Sequence, residues 1–267
     1  MASTTSAPFA EGDFRVGRVI NRSISILSRR FITLFIIANL PTFLISLWIW
    51  ILWTDRVPGQ AEQVAAVIFL AVAFPLFSVL GHAMIVHATF QDMRNRPATL
   101  GTSVKVGLRR FLPLFGIAIL LTILIVLAST LFIALTARIT PFLLVLAPIP
   151  VVVIVTVCFV TTPACVVEKR GPFGSVRRSA QLTNGHRWRI FSLEVLLVGL
   201  LLITSIIIGL LDWALIALAG PLLAAISDLI WTEVWLAYCG VMVAVAYHDL
   251  RVAKEGIDIE QIASVFD

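Results

Sequence analysis

The chain has 267 residues, 60% of them apolar and only 13% charged, with a formal net charge of +5. Soluble domains carry about twice that charged fraction, and disordered chains need low hydrophobicity. The figures therefore exclude both a water-soluble enzyme and a disordered polymer, and they place most of the chain in lipid.

Residues Met1 to Asp13 are polar and rich in Ser, Thr and Ala. They lack the basic-then-apolar order of a cleavable signal peptide and read as a flexible N-terminus. Residues 14–30 read as an interfacial amphipathic helix. Arg15, Arg18, Arg22, Ser25 and Arg29 form one stripe at 3-4-3-4 spacing, and Val16, Val19, Ile20, Ile24, Leu27 and Phe31 take the remaining faces. Such a helix lies flat at the headgroup boundary, buried on one side.

Residues 31–250 read as an all-α transmembrane domain. Six segments satisfy the criterion of about 20 mostly uncharged residues: 31–53, 63–89, 111–136, 142–166, 190–211 and 222–247. Their lengths suit helices, and no strand-like alternation accompanies them. Prolines recur inside them at Pro41, Pro75, Pro148, Pro150 and Pro163. Each predicts a kink, either as plain bundle curvature or as the broken helix that transporters use around a substrate. Residues 213–226, with Gly220-Pro221 between Asp212 and Asp228, read either as a re-entrant turn or as extensions of spans 5 and 6.

Eighteen of the twenty Lys and Arg flank the spans on one side, leaving Arg56 and Arg138 on the other. The positive-inside rule then puts both termini in the cytoplasm, as for a bacterial inner-membrane protein. Arg29-Arg30-Phe31 recurs as Arg109-Arg110-Phe111 and, more loosely and at nearly the same interval, as His186-Arg187-Trp188. The plausible unit is an interfacial helix followed by a transmembrane hairpin, used three times. The alternative is that any helix entering from the cytoplasm opens with basic and then aromatic residues. Segments 100–111 and 173–184 supply the second and third interfacial helices on this reading. The basic segments either set topology alone or also hold anionic headgroups. Arg29, Arg30, Arg109, Arg110, Arg187 and Arg189 are the headgroup candidates.

Ionisable residues within spans are functional candidates by default. Glu194 lies about 6 Å into span 5 by helix rise, within reach of Arg187, Arg189 or His87. His82 and His87 stand at i and i+5 on different faces, which is not the spacing of a two-ligand metal site. Glu233 and Asp228 fall near the outer end of span 6, and Asp212 near that of span 5. Cys158, Cys165 and Cys239 are scattered in apolar runs and predict neither a disulfide framework nor a zinc site. No catalytic motif is present, and no cofactor or nucleic-acid partner is expected. In the tail, 251–267, Asp258 and Gln261 suggest a capping box that opens a short helix to Phe266.

The basic amphipathic segment before span 1 carries a resemblance, together with the block Arg178-Ser179…Leu182…Gly185…Arg187-Trp188-Arg189-Ile190-Phe191. So does the closing Tyr247-His248-Asp249-Leu250-Arg251 with Lys254-Glu255-Gly256. These residues resemble the membrane domain of bacterial glycerophosphodiester phosphodiesterases, and equally the six-helix inner-membrane proteins related to it. In the fused members of that group a soluble phosphodiesterase barrel follows. This chain ends at Asp267 without one, so the resemblance implies the membrane fold and no phosphodiesterase activity. The expectation is a non-enzymatic polytopic protein engaging anionic phospholipid or a membrane-protein partner through a basic cytoplasmic collar. The alternative is a small transporter or permease subunit built on the kinked spans with Glu194 or His87.

Overall fold

The computed structural model describes residues 14–54, 59–94, 96, 98–139 and 145–256. Among these no strand occurs, and the helices are α1 (Val16–Arg29), α2 (Phe31–Thr54), α3 (Gln60–Met93), α4 (Leu100–Ile139), α5 (Ile149–Cys158), α6 (Thr161–Glu168), α7 (Pro172–Thr183), α8 (Arg187–Ala219) and α9 (Pro221–Glu255). The expected N-terminal segment 1–13 and the tail helix from Asp258 lie outside the described residues. Four stretches among the described residues are long and apolar enough to cross a membrane: Leu100–Thr136, Ile149–Glu168, Arg187–Ala219 and Pro221–Glu255. α1 and the start of α2, bent by 94° at Arg30, make a fifth when taken as one broken span.

The core forms where α9 lies among α1, α2 and α3, with α6 alongside. From Ala237 to Leu250 nearly every residue of α9 is buried, against Ala83 to Phe90 of α3, Leu34 and Ile37 of α2, and Val160 to Val167 around α6. Small residues let these backbones approach closely. A Cβ on Gly81 would overlap the Ala38 carbonyl, and one on Gly240 would overlap Ile85. Apolar side chains gain little by leaving lipid, so close van der Waals fit of this kind is what holds transmembrane helices together. α4 and α8 are peripheral and expose rows of Leu and Ile, which in a membrane face the acyl chains.

The three expected interfacial helices differ from one another. α1 is separate, but its buried line Val19, Ser23 and Ile26 packs chiefly on α9 rather than turning toward lipid. The second does not exist as a separate helix: residues 100–111 run straight into α4, because nothing between Leu100 and Phe111 breaks helical geometry. α7 is separate, opening at Gly171-Pro172 and closing where Asn184 turns extended and Gly185 takes a positive φ of 84°. The three segments are thus unequal.

A re-entrant segment at 213–226 is excluded by the course of the chain. α8 continues to Ala219 and α9 begins at Pro221, with Gly220 at φ 91° supplying the tight reversal between them. The kink expected near Pro163 is a full break. The helix stops at Cys158 and restarts at Thr161, freeing backbone groups inside the bundle. The buried Ser179 of α7 covers them: its Oγ accepts from the Val160 N–H at 3.2 Å and donates to the Val157 carbonyl at 2.8 Å. A break deep in a membrane bundle is tolerated when a neighbour satisfies it in this way. Ser179→Ala should therefore lower thermal stability in detergent by about 1–3 kcal/mol, the desolvation cost of orphaned buried groups, whereas Ser192→Ala on the exposed face of α8 should change it little. Paired melting curves of the two variants check this.

Candidate functional site: the basic end of the bundle

α3, α6 and α9 each finish at the end of the bundle where α1 and α7 lie, and each carries an acidic residue there: Asp92, Glu168, and Asp249 with Glu255. These carboxylates collect arginines from neighbouring elements. Asp92 accepts from Arg29 Nη2 at 3.0 Å and pairs with Arg30 Nε at 3.3 Å. Asp249 Oδ1 accepts from Arg22 Nη1 at 3.2 Å, with His248 Nδ1 also at 3.1 Å. Glu168 accepts from Arg170 Nε, from Arg178 Nε (both 2.7 Å) and from the Tyr247 hydroxyl at 2.9 Å. Glu255 completes the network by pairing with Arg178 and with Arg251 Nε.

Arg178 is the centre of this network. Burial works against its charge, but the carboxylates of Glu168 and Glu255 outweigh it and hold the guanidinium above its ordinary pKa. The arginine ties α7 to α6 and α9 at once. The expected stripe on α1 also behaves differently from a solvated face: Arg22 turns inward to Asp249 while Ile24 is exposed.

The six headgroup candidates divide accordingly. Arg29 and Arg30 are already ion-paired to Asp92, so their charge is partly spent within the fold. Arg189 Nη1 donates to the Phe14 carbonyl at 2.9 Å, fixing the residue before α1 against α8, and Phe14 meets His186 edge-on. Arg109, Arg110 and Arg187 form no ion pair among the described residues; Arg109 and Arg187 are exposed and Arg110 is half-buried. A count of Lys and Arg alone cannot show this division, because it leaves out the acids that make it.

The intramembrane candidates do not converge. Glu194 contacts neither His87 nor an arginine; its Oε2 accepts from the Thr156 hydroxyl at 2.6 Å. The break between α5 and α6 and the start of α8 bring that hydroxyl closer than any cation. His87 Nδ1 lies 3.2 Å from the Ser103 hydroxyl of α4 and His82 Nδ1 lies 2.8 Å from the Ser78 carbonyl of its own helix. Glu233, read near the outer end of span 6, lies inside the bundle. It is 2% exposed, its Oε2 accepts from Thr42 Oγ1 at 3.0 Å, and its own carbonyl accepts from Asn39 Nδ2 at 3.0 Å. The physical reason is the packing of α9 on α2, which turns this residue onto Thr42 and Asn39. The small cavity beside Thr42, bounded also by Ser78 and His82, measures about 10 Å³, room for about one water. Asp212 is half-buried and Asp228 exposed, placed symmetrically about the Gly220 turn. Among the described residues no three His, Cys, Asp or Glu are grouped to hold a metal ion. The three cysteines are free thiols, with Cys165 buried and the other two half-buried.

The network makes unequal demands on its members. Glu168→Gln leaves the mostly buried Arg178 with Glu255 as its one remaining carboxylate and should cost about 2 kcal/mol of stability. Asp92→Asn leaves Arg29 and Arg30 half-solvated and should cost under about 1 kcal/mol. Thermal unfolding in mild detergent, compared at low and high salt, separates the two. Compared with known proteins, the chain matches no family model, no curated protein and no solved structure, so no finding beyond the residues themselves supports the resemblance to the phosphodiesterase membrane domain.

Proposed function

We propose that this chain is a non-enzymatic polytopic protein of the bacterial inner membrane that engages anionic phospholipid through its basic end. A membrane-protein partner with an acidic surface is the other occupant of the same charge. In this reading α2, α3, α4, α5 with α6, α8 and α9 are six spans in three hairpins, with both termini in the cytoplasm. The bias of eighteen basic residues to two supports that orientation, and the resemblance to the six-helix inner-membrane proteins is consistent with it.

One observation carries the proposal. The carboxylates at this end are consumed by Arg22, Arg29, Arg30, Arg170, Arg178 and Arg251, and of the six candidates Arg109, Arg110 and Arg187 remain in a cationic surplus that Arg18, Lys105, Lys169 and Arg177 share. An arginine near an anionic surface contributes about 1 kcal/mol. Native mass spectrometry of protein released from mild detergent should show retained anionic phospholipid. Replacing Arg109, Arg110 and Arg187 together by Gln should remove most of it, while Arg29→Gln with Arg30→Gln should remove less. Equal retention in wild type and the triple variant overturns the proposal.

Glu233 favours a second reading, a small transporter, since a buried carboxyl bonded across to a proline-bearing helix is the arrangement of an ion-coupling site. The cavity beside Thr42 has no room for a substrate larger than a water, which limits this reading to protons. Proton flux into dye-loaded liposomes that falls with Glu233→Gln would support it, and absence of flux in wild type would remove it.

A further inference from the structure

Between α5 and the first turns of α8 runs a groove of about 590 Å³, within the range of small-molecule sites, about 300–1,000 Å³. One wall is α5 with the turn before it, apolar along its length through Ile149 and Val153; the other is Trp188 and Phe191, whose rings meet edge-to-face with centroids 5.9 Å apart. Arg187, at the start of α8, is the single charged residue of the lining. It makes no ion pair among the described residues, and it lies near enough to Lys254 and Arg178 for all three charges to interact. Trp188 stands 82% exposed beside it, which suits a residue at the headgroup level of a membrane.

We infer that this groove is a phospholipid site: one acyl chain of an anionic phospholipid lies along α5, and its phosphate group sits on Arg187. The chemistry of the walls selects this occupant. A peptide segment would bring backbone N–H and C=O groups that must be satisfied. The lining offers one hydroxyl for them, Thr156, and that hydroxyl already donates to Glu194. The matching ligand needs no hydrogen bonds along its length and carries a negative group at one end. A phospholipid has that form, and Arg187, with the charge of Lys254 near it, complements its phosphate.

The inference rests on the proposed engagement of anionic lipid and adds the place where it occurs. The test uses full-length protein in phosphatidylcholine nanodiscs containing a minor share of phosphatidylglycerol with a diazirine near the end of one chain. The same diazirine on phosphatidylcholine is the control, and labelled residues are mapped by peptide mass spectrometry. Labelling should concentrate on Ile149 to Val153 and on Phe191, with phosphatidylglycerol exceeding phosphatidylcholine by about fivefold, the factor one arginine contributes near an anionic surface. Arg187→Gln should bring the two probes level, and Val153→Trp, which fills the groove from its exposed side, should reduce labelling there for both. Labelling spread evenly over the exposed faces of α4 and α8, or unchanged by Val153→Trp, overturns the groove. If anionic lipid is still lost from the Arg109, Arg110 and Arg187 variant in that case, the wider reading stands and only its location falls. If phosphatidylglycerol has no advantage in either assay, both fall.

Discussion

The close approach of α3 to α2 on one side and to α9 on the other is the constraint on which the rest of the bundle depends. In lipid, leucine against leucine is no better than leucine against an acyl chain, so helices associate where their backbones come near enough for dense contact. Gly81 against the Ala38 carbonyl and Gly240 against Ile85 mark the points where any added carbon would push the helices apart. Above and below them Ala83, Ala237, Ala244 and Ala246 keep the seam narrow. With α9 fixed against α2 and α3, its last three turns are presented to α1 and α7, and the ionic layer can form. α8 lacks such a seam over most of its length and is held chiefly by α9, while α4 packs mainly on α3, where Gly107 closes on Met84 and Leu80.

The ionic layer has a regular logic. Each helix that finishes at the basic end brings a carboxylate to it, and the arginines of α1 and α7 are drawn onto those carboxylates. The middle hairpin is the exception. Its preceding segment is fused into α4, and Glu168 at its other end is occupied by arginines from α7 and the α6–α7 link. Arg109 and Arg110 are therefore without a carboxylate, whereas Arg29 and Arg30, their counterparts in the first copy of the repeat, have one. The unequal placing of carboxylates leaves an unequal charge at this end.

Much of this architecture is legible in the residues, for a physical reason. A stretch of some 20 apolar residues has few alternatives to a membrane helix, and the stripe of arginines in α1 has one plausible secondary structure. The face of α1 that turns inward is not legible. An arginine stripe predicts a solvated face unless Asp249, near the opposite end of the chain, is known to lie beneath it. The burial of Glu233 is hidden for a related reason. Hydropathy marks where a span is apolar, not which of its residues face the bundle, and nothing near Glu233 in the chain links it to Thr42 and Asn39. Ser179 is invisible as a partner of the broken span, since nothing local to either segment links it to Val157 and Val160. The acids at the ends of α3, α6 and α9 leave a signal, one at each helix exit, that a count restricted to Lys and Arg ignores.

The Gly220 reversal has a consequence for the membrane itself. α8 and α9 have 33 and 35 residues, so each is about 50 Å long at helical rise, against a hydrocarbon layer of about 30 Å. Beyond Asp212 and Asp228 their far ends turn apolar again up to the reversal, with Leu218, Leu222 and Leu223 exposed on either side of it. The near end is held at the surface by the arginine–carboxylate layer, so the surplus length has to be taken up by tilt or by thickening of the surrounding bilayer. Either response carries a cost that grows with the difference in thickness. The hairpin thereby acts as a gauge, giving the protein a graded preference among membranes of different thickness.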